Sequence, residues 1–587
     1  MEIKSYIQQK LKEAYNKCGF DVNPQVVFSA RPEISDFQSN NIFQVAKENK
    51  LNPQELGKRV CDNIDVSDGI FEVAFLPPAF INFSLTNKGL SLIANNIQND
   101  KNTGVNRQSH NETVIIDYGG ANVAKELHIG HLRSPIIGEA LARLNKLLGN
   151  KVITDTHLGD WGLQMGLTIA QLEDDGYLEG SFGRGENKDI NLDTLNEEYP
   201  KASKRKNIEP EFKKKAEQYT LFIQQQKEPY SSIYKFIREI SVKDIKRSYD
   251  ELGCHFDLWY GESNAEPYIN RVVEIFVKNG LAEESEGALI VNVANENENI
   301  PTDKLDADGK VLYKNPMPPL ILKKHNGADV YATSEIGTIL MRNEMFNADK
   351  LIYFTDNRQM THFKQVFRAC KMSGISPERQ ELIHMPFGTI NGSDGKPFKT
   401  RSGDTIKLQD IINLVTEKAK EKLAQNGIVG NDKLAKQIGI CAMKFGDLSN
   451  FVSKDYIFDL DKFTSFEGKT GPYIQYTAVR IKSVLNKANY KQAGEIFISL
   501  PEEKKIIVQI LKAIDSLEIA YNENSLNSIC MALYDLCASY SNFYNNVRIL
   551  SESDNVKKQS YLNLSALTLK VITLLTDVLA MEIPEKM

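Results

Sequence analysis

The sequence has few cysteines and no strong excess of charge of either sign. Its seven cysteines are spread along 587 residues without a C-x-x-C pair. This spacing fits neither a disulfide framework nor a zinc site, so we predict no protein metal site and expect a reducing, cytoplasmic location. Lys and Arg number 71 against 77 Asp and Glu, and the net charge of -6 argues against a protein that coats nucleic acid through a uniformly basic surface.

The sequence predicts neither a secretory leader nor an uninterrupted membrane-spanning run. The first ten residues include the charged Glu2, Lys4 and Lys10, which is typical of the first turns of an amphipathic helix. The segment 561–583 is apolar, but Lys570 and Asp577 interrupt it. Apolar residues recur there at helical spacing, namely Leu564, Leu567, Val571, Leu574 and Val578. The pattern predicts a core helix and no contact with a membrane.

Length and composition indicate a multidomain globular protein. At about 150 residues per domain, this length corresponds to three or four domains. Hydrophobic residues make up 41% and charged residues 25%, which excludes a collagenous, low-complexity or wholly disordered chain. Helical patterns alternate with short strand-like runs up to about residue 105, and the pattern is helical throughout beyond about residue 460.

The central part of the sequence has a strand–helix–strand rhythm. Residues 113–118 predict a buried strand, 132–148 predict a helix with one apolar face, and 151–155 predict a second strand. A unit of this length is a parallel βαβ unit. The rhythm returns from residue 329 to about 455. We therefore expect the two blocks to form one parallel sheet around a polar insertion at about 180–320.

The first candidate site is the string A-N-V-A-K-E-L-H-I-G-H at 121–131, which follows the first predicted strand. The carboxyl edge of a parallel sheet is where nucleotides bind in open α/β folds. His128 and His131 can donate hydrogen bonds to phosphates, and Gly130 lets a flat base approach the backbone. The helix that follows adds its positive N-terminus. Taken alone, such a short string also occurs by chance, and histidines at a helix start are often only caps.

The second candidate site is the loop D-G-K-P-F-K-T-R-S-G at 394–403. Lys396, Lys399 and Arg401 can neutralise the charge that develops on a departing pyrophosphate, and the glycines can let the loop close. The alternative is a basic surface turn without a function. The presence of the histidine string in the same chain makes this alternative less favoured. Another basic run, 201–215, is interpreted as a solvated helix face, with a contact to a phosphate backbone as the alternative.

With these motifs the chain resembles the class I aminoacyl-tRNA synthetases, and among them the arginyl-tRNA synthetase family. The string H-I-G-H at 128–131 resembles the first signature of that class, and the loop from Lys396 lies where the second, K-M-S-K-S, is expected. Further motifs resemble those of the arginyl family: N-V-A-K at 122–125, H-L-G-D-W-G at 157–162 with Gln164, Y-A-T-S-E at 331–335, and T-G-P-Y-I-Q-Y at 470–476 with Arg480. The resemblance covers essentially the whole length.

The string K-M-S-G at 371–374 imitates the second signature more closely in letters. We reject it as a decoy. Its position is predicted to be the end of a helix, just before Ser376 and Pro377, and it precedes the strand that should lead into the catalytic loop.

The resemblance implies a multidomain α/β fold in three parts. These are an α+β N-terminal additional domain that touches tRNA (1–105), a Rossmann-type parallel-sheet catalytic domain with an insertion around 180–320 (106–455), and an all-α anticodon-binding domain (456–587). It implies an arginine–tRNA ligase that uses ATP, which carries Mg²⁺, to form arginyl-adenylate. Arginine then passes to the 3′-terminal adenosine of tRNA(Arg), with release of AMP and pyrophosphate. The family also implies a monomer.

The resemblance assigns site residues motif by motif. Those implied in catalysis are Lys125, His128, His131, Lys396, Lys399 and Arg401. Those implied in ATP binding are Asn122, His128, Gly130 and His131. Those implied in arginine binding are Asp117, Asn122, His157, Tyr331, Glu335 and Gln359. Those implied in tRNA binding are Tyr473, Gln475, Tyr476 and Arg480. Carboxylates suit the arginine end because a planar guanidinium prefers bidentate anionic partners.

Two departures from the family pattern and several structural alternatives accompany these assignments. Ala121 stands where the family usually has Pro, and Glu335 stands where it usually has Asp, which leaves the guanidinium contact open. The residues with a purely structural alternative are Asp117 (a helix-entry cap), Lys125 (an exposed loop lysine), Tyr331 and Gln359 (structural roles), Tyr473 and Tyr476 (core aromatics) and Arg480 (a surface salt bridge).

Two other functions are weighed against the ligase. A nucleotidyltransferase with the same H-x-G-H fold could join a nucleotide to a small acid, but it leaves about 130 C-terminal helical residues and the 470–476 string without a role. A catalytically dead tRNA-binding paralogue is the second. Intact His128, His131, Lys125 and the cations of the 396–401 loop count against it, because decay is expected there first.

Overall fold

The N-terminal region is a small antiparallel sheet covered by helices. The computed structural model describes the chain except for Met1 and residues 179–189, 306–310, 315–316, 325–330, 393, 397, 399–405 and 426. The elements of this region are α1 (Ile3–Lys17), β1 (Val27–Phe28), β2 (Phe37–Ser39), α2 (Asn41–Asn49), α3 (Pro53–Asp62), β3 (Phe71–Leu76), β4 (Phe80–Leu85) and α4 (Asn87–Asn99). The strands pair in the order β1-β2-β4-β3. Phe37, Phe71 and Phe83 are buried between the sheet and its helices, so the predicted α+β N-terminal domain is confirmed.

The central region begins with a βαβ unit and continues into the insertion. The unit consists of β5 (Thr113–Asp117), α5 (Arg133–Leu147) and β6 (Lys151–Asp155), followed by α6 (Leu163–Asp174). The insertion contains α7 (Leu192–Arg205), α8 (Pro210–Gln224), α9 (Tyr230–Glu251), α10 (Glu262–Lys278), β7 (Ala282–Ser285), β8 (Ala288–Val291), β9 (Ile300–Leu305), β10 (Val311–Lys314) and β11 (Leu320–Lys323). In the basic run 201–215, Lys201, Arg205 and Lys215 form ion pairs with carboxylates of this same region, which supports the interpretation as a solvated face.

The second block of the central region completes the parallel sheet. Its elements are α11 (Tyr331–Phe346), β12 (Lys350–Asp356), α12 (Met360–Ser373), β13 (Glu381–Phe387), β14 (Ile390–Asn391), α13 (Leu408–Gln425) and α14 (Asp432–Leu448). Strand β12 pairs in parallel with β5 and β13, and the sheet order is β13-β12-β5-β6. The expectation that both blocks share one sheet is therefore confirmed.

The order of the strands determines where the sheet is open. From β5 the chain crosses to β6 on one side, whereas β12 lies on the other side of β5. The residues Val114, Ile115 and Ile116 are fully buried because helices cover both faces of the sheet. A crevice is expected at the carboxyl ends of strands where the order reverses, which here lies between β5 and β12.

The C-terminal region is helical. After β15 (Tyr456–Ile457), which pairs with β14, it contains α15 (Leu460–Phe463), α16 (Gly471–Lys487), α17 (Pro501–Glu523), α18 (Asn527–Asn546) and α19 (Asn555–Val578). Within the part of the chain that the structure describes, α19 is the one helix long and apolar enough to cross a membrane, but 67% of its most apolar window is buried. Leu564, Leu567 and Val571 are at most 2% exposed, as expected for the predicted core helix.

Candidate active site

A cleft of about 380 Å³ opens at the carboxyl ends of β5 and β12. It is lined by ten of the residues that the sequence analysis assigned: Asp117, Asn122, Lys125, His128, Gly130, His131, His157, Tyr331, Glu335 and Gln359. These residues come from both blocks of the central region. The fold therefore brings the predicted histidine end and the predicted carboxylate end into one cavity.

The two signature histidines are neutral imidazoles at a short 3₁₀ turn, Ile129–His131, in which His128 is the N-cap and His131 is the last residue. His128 Nδ1 accepts a hydrogen bond from the Gly130 backbone N–H at 3.1 Å, and His131 Nδ1 accepts one from the His128 backbone N–H at 3.1 Å. Burial, helped by His128 and Lys125, lowers the pKa of His131 to about 3, and burial also lowers the pKa of His128. Because each Nδ1 accepts, each neutral ring carries its proton on Nε2 and can donate to an anion.

Lys125 lies beside these histidines and contributes to the lowering of both their pKa values. It forms no ion pair with any carboxylate among the described residues. Ala124, the residue before it, has φ +62°, a left-handed conformation that costs about 1 kcal/mol or more for a residue other than glycine. The backbone N–H of Ala124 donates to Ser241 Oγ at 3.0 Å, and this bond helps to hold the bend. Lys125 therefore lines the cleft as a partly buried cation, and its assigned role in catalysis stays a prediction.

The segment that follows the basic loop is fixed next to the histidine turn. On the C-terminal side of the loop, the Ile129 backbone N–H donates to the Ile406 carbonyl at 3.0 Å, and the Leu408 N–H donates to the Leu127 carbonyl at 2.9 Å. Lys396 is exposed and does not line the cleft. Lys399 and Arg401 lie outside the described residues, so their assignment stays a prediction.

The string at 371–374 has a structural role. It ends helix α12, with Gly374 in the left-handed conformation at φ +76°. Lys371 Nζ donates to the carbonyl oxygens of Pro377 and Gln380 at 2.7 and 2.6 Å. The Lys371 ammonium group therefore serves as the hydrogen-bond donor to the turn before β13. These contacts agree with its rejection as a decoy.

The opposite end of the cleft is acidic. Glu335 lies near the start of α11, and its pKa is raised to about 7 because burial, Asp117 and Glu262 raise it by more than His157 and Arg342 lower it. Burial likewise raises the pKa of Glu262. Carboxylates that are held together in a poorly solvated site gain most from a bound cation. This end of the cleft is therefore suited to a guanidinium group.

Glu262 was missed by the sequence analysis. It is the first residue of α10, its Oε2 accepts from the Trp161 backbone N–H at 3.3 Å, and the Tyr331 side chain contacts its carboxylate. In the sequence it looks only like an acidic residue in the first turn of a helix, which is common. No local signal distinguished it, because its neighbours in the cleft are distant in the sequence.

Asp117 already has a guanidinium partner inside the protein. Arg342 on α11 is fully buried, and its Nη2 donates to Asp117 Oδ2 and to Asp155 Oδ2, both at 2.6 Å. Burial raises the pKa of Asp117, whereas Arg342 and His157 outweigh burial at Asp155 and lower the pKa there. The Asp117 carboxylate is therefore already neutralised by the buried Arg342 beside the acidic end of the cleft. Glu262 and Glu335 are the better candidates for direct contact with a substrate.

His157 adds unused hydrogen-bonding capacity to the acidic end. Both of its ring nitrogens are buried and have no hydrogen-bond partner among the described residues. Its φ of +21° lies at the edge of the left-handed region. A buried imidazole without partners is uncommon, since such groups are normally satisfied. His157 is therefore available to a polar ligand in the cleft.

Asn122 and Gln359 lie between the two ends. Asn122 forms a backbone bridge with Gly159, and a Cβ on Gly159 would approach Asn122 Oδ1 to 2.2 Å. Glycine is therefore required at position 159 for the Asn122 amide to keep its place. Gln359 lies in a 3₁₀ turn, Asn357–Gln359, that follows β12. Both side chains can bind the polar head of a small molecule.

The predicted tRNA-binding residues lie on α16, remote from the cleft in the sequence, and they differ in accessibility. Tyr476 is 42% exposed, and the Arg480 guanidinium lies over its ring at 4.7 Å and over the Tyr544 ring at 5.0 Å. Tyr473 is half-buried and donates to Ser541 Oγ at 3.2 Å. The assignment of Gln475 needs correction, because it is 1% exposed and its amide donates to the Glu582 carbonyl at 2.7 Å. Gln475 fastens the C-terminal segment instead of facing RNA.

Comparison with known proteins agrees with this architecture in all three regions. The family model for the class I (R) tRNA synthetase catalytic domain matches residues 93–460, the model for the DALR anticodon-binding domain matches residues 474–587, and the model for the arginyl-tRNA synthetase N-terminal domain matches residues 1–85. The arginine–tRNA ligase of Agathobacter rectalis is 38% identical over 99% of both chains. That of Alkaliphilus oremlandii is 37% identical over 98% of both chains.

Solved structures show the same fold. The arginyl-tRNA synthetase of Plasmodium falciparum superposes with a TM-score of 0.80 at 23% identity, covering 100% of this chain and 99% of that chain. The Thermus thermophilus arginyl-tRNA synthetase superposes with a TM-score of 0.79 at 18% identity, covering 100% of both. The parallel sheet with its histidine turn at the switch point is that of a class I aminoacyl-tRNA synthetase, an ATP-dependent enzyme. The three domain matches and the full-length relatives then narrow the class: the chain belongs to the arginyl-tRNA synthetase family and is an arginine–tRNA ligase.

Proposed function

We propose that the cleft catalyses two steps. The carboxylate of arginine attacks the α-phosphate of ATP to give arginyl-adenylate and pyrophosphate. The arginyl group then passes to the 3′-terminal adenosine of tRNA(Arg), with release of AMP. The observation that supports this is the presence of neutral imidazole donors and Lys125 at one end of a single cleft and buried carboxylates at the other.

The residues divide between the two ends by their chemistry. Charge increases on the phosphate during attack, and the His128 and His131 Nε2–H groups with Lys125 supply donors and positive charge to it. Lys396, Lys399 and Arg401 are proposed to act on the leaving pyrophosphate. Glu262, Glu335 and Tyr331 are proposed to bind the guanidinium, with His157, Asn122 and Gln359 on the polar head. We propose that Mg²⁺ arrives on the phosphates of ATP, which is how this ion usually enters phosphoryl-transfer sites.

The proposal also includes the location of the protein, its oligomeric state, its domain boundaries and its contact with tRNA. We propose a cytoplasmic monomer divided near residues 105 and 455, with the Tyr476–Arg480–Tyr544 cluster contacting tRNA in the C-terminal region. Exposed aromatic rings with a stacked guanidinium are the surface that single-stranded RNA bases prefer. Strand β15 pairs with β14 of the catalytic domain. We therefore propose that the connection to the anticodon-binding domain is the segment between β15 and α16.

The most direct test of the function is ATP–pyrophosphate exchange with each amino acid, with and without tRNA. We expect exchange only with arginine in the presence of tRNA. Exchange with another amino acid would contradict the assignment of the acidic end. Vigorous exchange with arginine alone would contradict the tRNA dependence that the family implies.

Arginine binding is expected to depend on pH around neutrality. In the free enzyme the Glu335 pKa is raised to about 7, and a bound guanidinium would lower it. Binding at pH 7 should therefore release up to about half a proton, and arginine affinity should fall by about three- to tenfold as the pH drops from 8 to 6. Calorimetry in buffers of different ionisation enthalpy measures this release. A Glu335→Gln variant should lose it, and an unchanged release in that variant would contradict the assignment.

The same carboxylate is expected to destabilise the free enzyme at alkaline pH. A Glu whose folded pKa lies above its unfolded value weakens the fold above that folded pKa, and the effect vanishes below the unfolded value of about 4.5. Glu335→Gln should therefore stabilise the catalytic domain by about 1–3 kcal/mol at pH 8 and hardly at all at pH 4.5. Denaturant titrations at both pH values measure this. Equal stability of variant and wild type at pH 8 would contradict the burial of an ionised Glu335.

A further inference from the structure

Arg133 is a buried cation that has no role in the two steps described above. It is 1% exposed and is the first residue of α5, two residues after His131. Leu132 ends the 3₁₀ turn and is also the N-cap of α5, so the turn and the helix are continuous. Any group that holds Arg133 in place therefore also holds the signature histidines.

The Arg133 guanidinium bonds to three separate segments of the chain. Its Nη1 donates to the Gly388 carbonyl at 2.8 Å and to the Lys454 carbonyl at 3.0 Å, and its Nε donates to Asp447 Oδ2 at 3.1 Å. The Tyr456 ring lies 5.1 Å from the guanidinium, and the Tyr456 hydroxyl donates to the same Asp447 oxygen at 2.9 Å. A planar guanidinium with fixed donor directions can reach these partners together, whereas the ammonium group of a lysine is a single point of charge.

One of these partners adjoins the wall of the catalytic cleft. Phe387, the last residue of β13, lines the cleft, as His131 does. Gly388 follows Phe387 directly, and a Cβ on Gly388 would lie 2.4 Å from the Lys454 carbonyl carbon. Glycine at this position lets the two segments approach each other closely, and the close approach lets one nitrogen bond to both carbonyls. Arg133 therefore connects the histidine side of the cleft to the Phe387 side.

The next residue, Ser134, attaches the start of α5 to the other two strands at the cleft. The Gly119 backbone N–H, just after β5, donates to Ser134 Oγ at 2.8 Å, and Ser134 Oγ donates to the Phe354 carbonyl of β12 at 3.0 Å. With the Arg133 bond to Gly388, the start of the helix is tied to the carboxyl ends of β5, β12 and β13. The histidine turn is not itself a strand of the sheet, so these side-chain bonds determine how it lies over the cleft.

The buried ion pair between Arg133 and Asp447 is weak evidence for a stabilising role. Both residues are at most 1% exposed, and the cost of removing two charges from water is about as large as the attraction between them. Apolar residues of similar volume often hold a core equally well. Apolar residues would lack the directional bonds to the Gly388 and Lys454 carbonyls. Placement of one element against another therefore explains the arrangement better than a gain in stability does.

We propose that Arg133 is a positioning residue for adenylate formation. Its guanidinium sets the distance between the histidine turn and the Phe387 wall of the cleft, between which ATP binds. Arg133 does not line the cleft and acts through His128 and His131. Stabilisation of the attacked phosphate requires donors in fixed places, and a displacement of about 1 Å can reduce the rate about 100-fold. The inference rests on the two-step function proposed above.

Replacement of Arg133 by lysine tests the proposal, because it keeps the charge and removes the planar set of donors. The rate of adenylate formation, measured in a single turnover with tRNA present, should fall by about 30- to 100-fold. The dissociation constants for arginine and ATP, obtained from the concentration dependence of the same reaction, should change by less than about threefold. A wild-type rate would overturn the proposal, and so would equal losses in rate and in the binding of both substrates.

The matched control is Arg143→Lys on the same helix. Arg143 bonds to Glu139 through Nε at 2.7 Å and does not line the cleft, so its replacement should leave the rate unchanged. The wild-type enzyme is measured in parallel. Failure of the wild type to form arginyl-adenylate would contradict the proposed function itself, whereas the variants test only the role of Arg133.

Replacement of Asp447 by asparagine separates positioning from stability. It removes one charge of the buried pair, so the melting temperature should fall by several degrees. It leaves the Arg133 bonds to the Gly388 and Lys454 carbonyls, so adenylate formation at 25 °C should slow by less than about threefold. If the rates of the Asp447 and Arg133 variants fell in proportion to their melting temperatures, Arg133 would only support the fold and the proposal would be overturned.

Replacement of Gly388 by alanine reaches the same contact while Arg133 stays intact, and it decides the question if Arg133→Lys does not fold. The added Cβ should push the Gly388 and Lys454 carbonyls apart, so that Nη1 can no longer bond to both. Adenylate formation should slow by about tenfold, with arginine and ATP bound as in the wild type. A wild-type rate in this variant would overturn the role assigned to the two carbonyls.

Discussion

Replacement of Lys125 by alanine is expected to slow arginyl-adenylate formation by about 10²–10³-fold while arginine binding changes by less than about threefold. Lys125 lies beside the two neutral histidines and lacks a carboxylate partner among the described residues, so its charge is available to a substrate anion. That charge is needed most when the α-phosphate gains negative charge during attack. Single-turnover measurement of adenylate formation, with tRNA present, separates this step from transfer.

The matched control is Lys146→Ala, which removes an exposed lysine from α5, the helix that follows the histidine turn. It should leave the rate unchanged. Turnover of the Lys125 variant at the wild-type rate would remove Lys125 from the mechanism. A large loss of arginine affinity in that variant would instead indicate that Lys125 supports the fold of the cleft.

Replacement of Glu262 by glutamine is expected to weaken arginine binding by about 100-fold and to leave the KM for ATP within about twofold. A charge-assisted pair in a poorly solvated site is worth about 2–5 kcal/mol when one partner is lost, and glutamine keeps the shape but removes the charge. Glu335→Gln should act in the same direction. The two variants should combine less than additively, because both carboxylates are proposed to bind one guanidinium.

Glu274→Gln is the control for this variant, since Glu274 is an exposed residue of the same helix, α10. It should bind arginine as tightly as the wild type. If Glu262→Gln weakened ATP and arginine equally, the carboxylate would be supporting the cleft as a whole. If it changed neither, the acidic end would depend on Glu335 alone.

The sequence was most informative where a short stretch of chain carries its own signal. Alternation and apolar runs predicted β5 and β6, and the 3.6-residue period predicted α5, because these patterns depend on neighbours within about one element. The motifs around His128 and 394–403 identified the class, because the chemistry of phosphate binding restricts the residues that can occupy a turn. Gly374 and the residues after it distinguished the decoy string from the catalytic loop.

Local sequence patterns did not predict contacts between residues that are distant in the chain. Asp117 was expected to meet a substrate guanidinium, yet Arg342, 225 residues away, supplies one from inside the protein. Glu262 looked like an ordinary helix start, and Gln475 looked accessible to RNA. Each of these cases depends on burial and on contacts between elements, which periodicity does not encode.

The sequence by itself determined the order of the elements, the family and the two ends of the chemistry, since these follow from residue type and short-range spacing. Only the tertiary structure decided which carboxylates remain free for a ligand and which are neutralised internally. The physical reason is that pKa, accessibility and pairing are properties of the packed environment, and the return of the chain to the sheet through β12 creates that environment.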